Sequence, residues 1–187
     1  MRLPSVAALV VLLAAAGCSG GPDEIRTVAD FDAAPCLLFS EDAMRRTVAE
    51  PYARLAGVEP TLLKTEAADV GENTRACVYT FEAGGQSQVP EVGQMTVTVA
   101  RHQDGSQPLA ICVAGAAQRA DGYRLQKIGD QACMTPTSDL WMKVGENYYH
   151  VVVVPQPGFG NEVDAALALS PIILTVAEGA ASRLPRE

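Results

Sequence analysis

The chain has 187 residues, five cysteines and a single tryptophan, and its 22 acidic against 14 basic side chains give a formal net charge of −8. An acidic surface repels nucleic-acid phosphates and anionic headgroups, which excludes nucleic acid as a partner and leaves membrane attachment to something other than charge. Hydrophobic residues at 48% exclude a disordered chain, and the length suffices for one domain with a real core.

At the N-terminus Arg2 precedes an uninterrupted apolar run from Val6 to Ala16, with small residues Ala15-Ala16-Gly17 just before Cys18. This is a signal-peptide pattern, and the run is about half the ~20 apolar residues a spanning helix needs. The small-small-Gly-Cys ending resembles a bacterial lipobox, with Ala15 where the commonest form has Leu. The resemblance implies cleavage before Cys18, diacylglycerol on its sulfur and acylation of the new amine. Residues 1–17 are then leader and 18–34 a lipidated cysteine with a flexible tether, rich in Gly, Ser and Pro at its start. A single domain is expected over 35–187, on the extracytoplasmic side of the cell membrane.

Export leaves Cys36, Cys77, Cys112 and Cys133, an even number in an oxidising compartment, which points to disulfides. Four cysteines permit three connectivities; sequential pairing, Cys36 with Cys77 and Cys112 with Cys133, is the expectation taken here. Loops of that size correspond to roughly 3 to 4 kcal/mol per bridge. A four-cysteine zinc site would want C-x-x-C knuckles, and none is present, so no metal and no cofactor are expected.

Ser40 followed by Glu41 and Asp42 reads as a helix start, because a short oxygen side chain caps free N–H groups and carboxylates favour the positive end. Met44, Val48, Tyr52 and Leu55 follow at helical spacing up to Gly57, and Pro51 predicts a kink or restart. Cys77, Tyr79 and Phe81 alternate with Val78, Thr80 and Glu82; Met95, Val97 and Val99 alternate with Thr96, Thr98 and Ala100. These predict two strands of an antiparallel hairpin. Asp104-Gly105 turns the chain, and a helix capped by Ser106 is expected from Gln107 to Gln118, weakened by Gly115. Leu140 to Val144 and Tyr148 to Val154 flank Gly145-Glu146-Asn147 as a second hairpin. Asn161, Glu162 and Asp164 open a closing helical region, and Ser170-Pro171 reads as a cap with proline at the first helical position. Ile173, Val176, Ala180 and Leu184 form a stripe that should pack on the sheet; a membrane-surface helix would need more cations than Arg183 and Arg186. The sum is an α+β fold: a curved antiparallel sheet of about five strands, helices packed mainly on one face, and two disulfides.

Pro35-Cys36-Leu37-Leu38 before a capped helix, Cys77 with aromatic Tyr79 two residues on, Ile128-Gly129-Asp130-Gln131-Ala132, and a final hairpin before a C-terminal helix together resemble an actinobacterial family. It is a group of secreted lipoproteins known only as a domain of unknown function. The resemblance spans Ala34 to Leu184, with Ala34 where the family usually has Asp and Tyr79 as the aromatic where it has Trp. More distantly the chain is similar to the extracellular sensor domains of mycobacterial serine/threonine kinases, which carry two disulfides around a cleft. That similarity implies a binding module.

Catalytic signatures are missing: no G-x-S-x-G elbow, S-x-x-K pair, P-loop or G-x-G-x-x-G cradle occurs. The only histidines, His102 and His150, read as a solvated turn residue and a solvent-facing or hydrogen-bonded strand residue. Asp130 reads as a turn aspartate accepting backbone N–H bonds. Phe159, in the Pro/Gly-rich stretch Pro155 to Gly160, is a candidate ligand contact, as are Trp141 and Tyr149; strand alternation sends one of Tyr148 and Tyr149 outward. The function expected is non-catalytic binding of a small or lipidic envelope molecule in a groove between sheet and helices. The alternative is an accessory subunit that docks on a membrane enzyme or transporter.

Overall fold

The structure is a computed structural model, which describes residues 24–83, 94–137, 139–155 and 162–187. Its elements in chain order are α1 (Val28–Ala33), a 3-10 turn (Pro35–Leu37), α2 (Glu41–Ala56), β1 (Pro60–Gly71), β2 (Thr74–Ala83), β3 (Gln94–His102), α3 (Ser106–Ala117), β4 (Arg124–Gln126), β5 (Gln131–Met134), β6 (Asp139–Val144), β7 (Asn147–Pro155) and α4 (Glu162–Ala181). The strands form one open antiparallel sheet in the order β1-β2-β3-β7-β6-β5-β4. The α+β class holds, with seven strands rather than about five. The strands without a clear sequence signal lie toward the two ends of the sheet: β1, at one edge, is exposed along most of its length and shows no alternation, while β4, at the other edge, and its neighbour β5 are only three and four residues long.

α2 begins and ends where its sequence signals lie. The Ser40 hydroxyl accepts the Ala43 N–H at 3.2 Å, and Gly57 closes the helix with φ 72°, a conformation that suits glycine. Pro51 does not restart the helix, which runs continuously from Glu41 to Ala56. Met44, Val48 and Tyr52, all fully buried, hold the helix against the sheet and α4, and that packing outweighs one lost backbone bond. Likewise Ser170-Pro171 is not a helix start: α4 runs unbroken through Pro171. The stripe Ile173, Val176, Ala180 and Leu184 is buried, which settles its packing within the fold.

The sheet has an inner face packed by α1, α2 and α4, and an outer face on which α3 lies. The inner core joins Phe31, Met44, Val48 and Tyr52 to Tyr79, Phe81, Val97, Tyr149, Val151 and the α4 stripe. It extends upstream of Pro35, where the sequence predicted a tether. Thr27 and Asp30 form a reciprocal capping box at α1, Phe31 is fully buried, and Asp32 makes a two-pronged pair with Arg101 at 2.8 and 3.0 Å.

Both expected disulfides are present, Cys36–Cys77 and Cys112–Cys133. The first ties the 3-10 turn to β2 on the inner face, and the second ties α3 to β5 on the outer face. Gly115 lets α3 sit close to Tyr123, whose ring lies 3.0 Å from the place a Cβ would occupy.

Candidate functional site

Strand register places an unusual group of side chains on the outer face. Cys133, Trp141, His150, Ala100 and Ala76 stand directly opposite one another across β5, β6, β7, β3 and β2, forming one row over the sheet. The next row toward α3 holds Lys143, Tyr148, His102 and Thr74. Because Ala100 and Ala76 are small, the two imidazoles have room to turn toward each other and toward the indole. Trp141 and His150 stack face to face, with centroids 4.2 Å apart and planes 9° apart. His102 tilts onto Trp141 at 4.7 Å and meets His150 edge-on at 5.6 Å. The arrangement lies at the foot of α3, whose preceding Gly105 packs so closely on Tyr148 that a Cβ there would come within 2.3 Å of the tyrosine Cβ.

Thr74 Oγ1 lies 3.2 Å from two partners, the Glu72 carbonyl and His102 Nδ1; with its one proton on the carbonyl, the second contact has the imidazole N–H as donor. In that arrangement His102 carries its proton on Nδ1 and presents Nε2 as an acceptor. Nε2 of His102 and Nε2 of His150 are both enclosed, with no hydrogen-bond partner. The nearest carboxylate oxygen to His150 is Asp139 Oδ2 at 3.9 Å, beyond hydrogen-bond reach, and Asp139 itself accepts from the Thr137 hydroxyl at 3.4 Å.

Burial keeps this cluster neutral. It pushes His150 down to about 4, with repulsion from His102 adding to the effect, and it lowers His102 as well. The same desolvation raises the Asp139 carboxyl, partly offset by the Thr137 bond. Enclosed, neutral imidazoles beside an aromatic face can accept a proton or a hydrogen-bond donor. Among the described residues no three or more His, Cys, Asp or Glu side chains group as metal ligands.

Beyond α3 the outer face is only partly covered. Val78, Thr80, Thr96, Thr98 and Val152 are all partly exposed there, and Val154 is 48% exposed. On the opposite side of the sheet, among the described residues, the side chains that face α2 and α4, such as Tyr52, Tyr79, Phe81 and Met95, are each fully buried. An open concavity elsewhere, lined by Arg46, Ala49, Glu50, Ala53, Arg54 and Glu59, lies on the α2 region's solvent side and mixes both signs of charge without enclosing a polar group.

Of the candidate residues, Trp141 is half-buried at the centre of the outer-face stack. Tyr149 points the other way: it is fully buried edge-on to Phe31 at 5.6 Å, and burial pushes its hydroxyl up to about 12. The outward tyrosine is Tyr148, so Tyr149 is corrected from ligand contact to inner-core residue. Phe159 and Cys18 lie outside the described residues. Asp130 is the turn residue its sequence suggested: Oδ2 accepts the Gly145 N–H at 2.6 Å and Oδ1 pairs with Arg186 at 2.9 Å. His102 and His150 are the residues that sequence reasoning misplaced: His102 is not a solvated turn residue, and His150 is stacked on Trp141 with Nε2 enclosed and unpartnered, because their neighbours come from other strands.

No protein-family model matches the chain, nor does any curated protein or solved structure. Among the described residues no helix is long and apolar enough to cross a membrane.

Proposed function

We propose that this chain is an extracytoplasmic lipoprotein, anchored to the cell membrane through lipid on Cys18, that holds a small or lipidic envelope molecule without catalysing its conversion. Two disulfides support the oxidising compartment. The observation that carries the binding reading is the asymmetry of the sheet. Its inner face is closed by side chains, whereas its outer face leaves a Val/Thr surface partly exposed beside the Trp141–His150–His102 stack. The groove envisaged between sheet and helices is therefore assigned to the outer side, between α3 and the uncovered strands. Valine methyls suit an apolar chain, threonine hydroxyls a polar backbone, and the indole a flat or apolar group.

The test is native mass spectrometry of the mature chain recovered from an oxidising export compartment. A native mass exceeding the denatured mass by a discrete amount is expected. Equal masses would count against a retained ligand and favour the second reading, an accessory subunit docking on a membrane enzyme or transporter. That reading has its own observation: Ile111 on α3 and Leu125 on β4, on neighbouring elements, are each 58% exposed.

A further inference from the structure

Folding has left the outer face with two imidazoles whose Nε2 atoms are enclosed and unpartnered, a state that costs free energy and is uncommon in a folded chain. The surroundings give the next proton few places to go. Nδ1 of His102 is engaged by Thr74, whereas its Nε2 is enclosed with no partner. Once both rings are charged, two imidazoliums face each other with centroids 5.6 Å apart, and the repulsion must be relieved by movement.

The charged groups around the pair do little to neutralise it. From β6, Asp139 stands 3.9 Å from His150, and Lys143, one row away, is paired with Glu146. From β3, Arg101 is on the inner face and bound to Asp32; from β2, Arg75 is likewise turned inward to the Asp32 carbonyl and to Asp69. β7 adds only His150 itself and Tyr148 on this face. α3 contributes no charged side chain, and Asp104, in the turn before it, is exposed. One carboxylate thus faces two imidazoles.

We propose that the His102–His150 pair is a proton-operated latch beneath the N-terminal end of α3: neutral, it stacks on Trp141 and seats α3 on the sheet; protonated, it separates from the indole and loosens that end. The other contacts define what moves. Leu109 and the Cys112–Cys133 bridge hold α3 further along, so the change is confined to the turn at Gly105, Tyr148 and the stack. The lowered proton affinity of both histidines keeps the latch closed at neutral pH, and charging of both rings is reached near pH 4. This regulates the outer-face site proposed above and rests on that reading for its biological consequence, but the latch can be read with no ligand added.

Trp141 is the only tryptophan, so its emission reports the stack directly. In the mature chain, a reversible change in emission is expected as pH falls from 7 toward 4, with the far-ultraviolet circular dichroism unchanged. His150→Gln should abolish most of it. His102→Gln removes the repelling neighbour and should move the step to higher pH. Emission that stays flat until the backbone signal collapses would overturn the latch, as would a step that persists unchanged in His150→Gln. Should His150→Gln fail to fold, the upward shift in His102→Gln decides, and its absence overturns the latch. A retained ligand is read separately by mass, so failure of the latch and failure of the binding reading are distinct results.

Discussion

The two faces of one sheet have been built to different standards. On the inner face, β2, β3 and β7 present Tyr79, Phe81, Val97, Val99, Tyr149 and Val151, closed over by Met44, Val48, Tyr52 and the α4 stripe with almost nothing exposed. On the outer face the same strands present valines and threonines with partial exposure, and two imidazoles whose Nε2 atoms lack partners, whereas the unpartnered hydroxyls of the inner face, on Tyr52 and Tyr149, belong to fully buried side chains. The difference teaches where stability and specificity reside: close packing favours a single arrangement, while unpaired, half-covered groups are what a ligand or a proton can act upon.

The strongest way to test that division is to truncate one residue on each face. Phe81→Ala, in the inner core, is expected to cost about 3 to 5 kcal/mol by denaturant unfolding, because it leaves a cavity that the surrounding helices cannot fill. A loss below about 1 kcal/mol would mean that the inner core is loosely packed.

The next effect belongs to the outer face and to pH. His150 is held near 4 against an ordinary 6.5 and its side chain is 18% exposed, which corresponds to roughly 3 kcal/mol. Since the unfolded chain takes up the proton first, stability contributed by neutral His150 is present above pH 6.5 and is lost as pH falls through about 4. His102 acts in the same direction. Asp139, raised by burial, acts in the opposite one: its contribution is present at low pH and is lost as pH rises through its folded value. Unfolding midpoints measured from pH 7 to pH 4 should therefore fall, and should fall less in His150→Gln. An equal slope in both would remove His150 from the account.

A smaller effect is expected at the hairpin where β6 and β7 meet the C-terminal residues. Gly145 has φ 60°, and a Cβ there would lie 2.6 Å from the Arg186 carbonyl, so Gly145→Ala should cost about 1 to 3 kcal/mol in thermal unfolding. The smallest belongs to the open surface: Val154→Thr should leave stability within about 0.5 kcal/mol, and a larger loss would mean that the outer face is more fully packed than its exposure indicates.

How much of this was legible in the sequence follows the same division. α2 was readable because its cap, apolar spacing and closing glycine agree, and the central strands because one face of each is buried. β1 was not, since an edge strand with both sides wet carries no alternation; β4 and β5 are too short for one. α1 hid in a tether-like composition, although Thr27 and Asp30 form a capping box that spacing alone could have suggested. The conformation of Pro51 and Pro171 was decided by tertiary packing, which local rules do not include. The outer-face stack is the least legible of all. Trp141 was singled out as an isolated residue, but its meaning comes from register: only the pairing of β6 with β7 and of β7 with β3 sets His150 on its ring and brings His102 alongside. Of Tyr148 and Tyr149, alternation required one inward and one outward, and the choice between them rested on the same register.

The measurement that bears most directly on the outer face as the working face is native mass spectrometry of the mature chain beside two arginine variants. Thr98→Arg places a cation on the open outer surface, and Ala49→Arg places one on the exposed side of α2 as a control. The account predicts a discrete retained mass in the unaltered chain and in Ala49→Arg, and its loss in Thr98→Arg. A mass retained equally by all three, or by none, would contradict it.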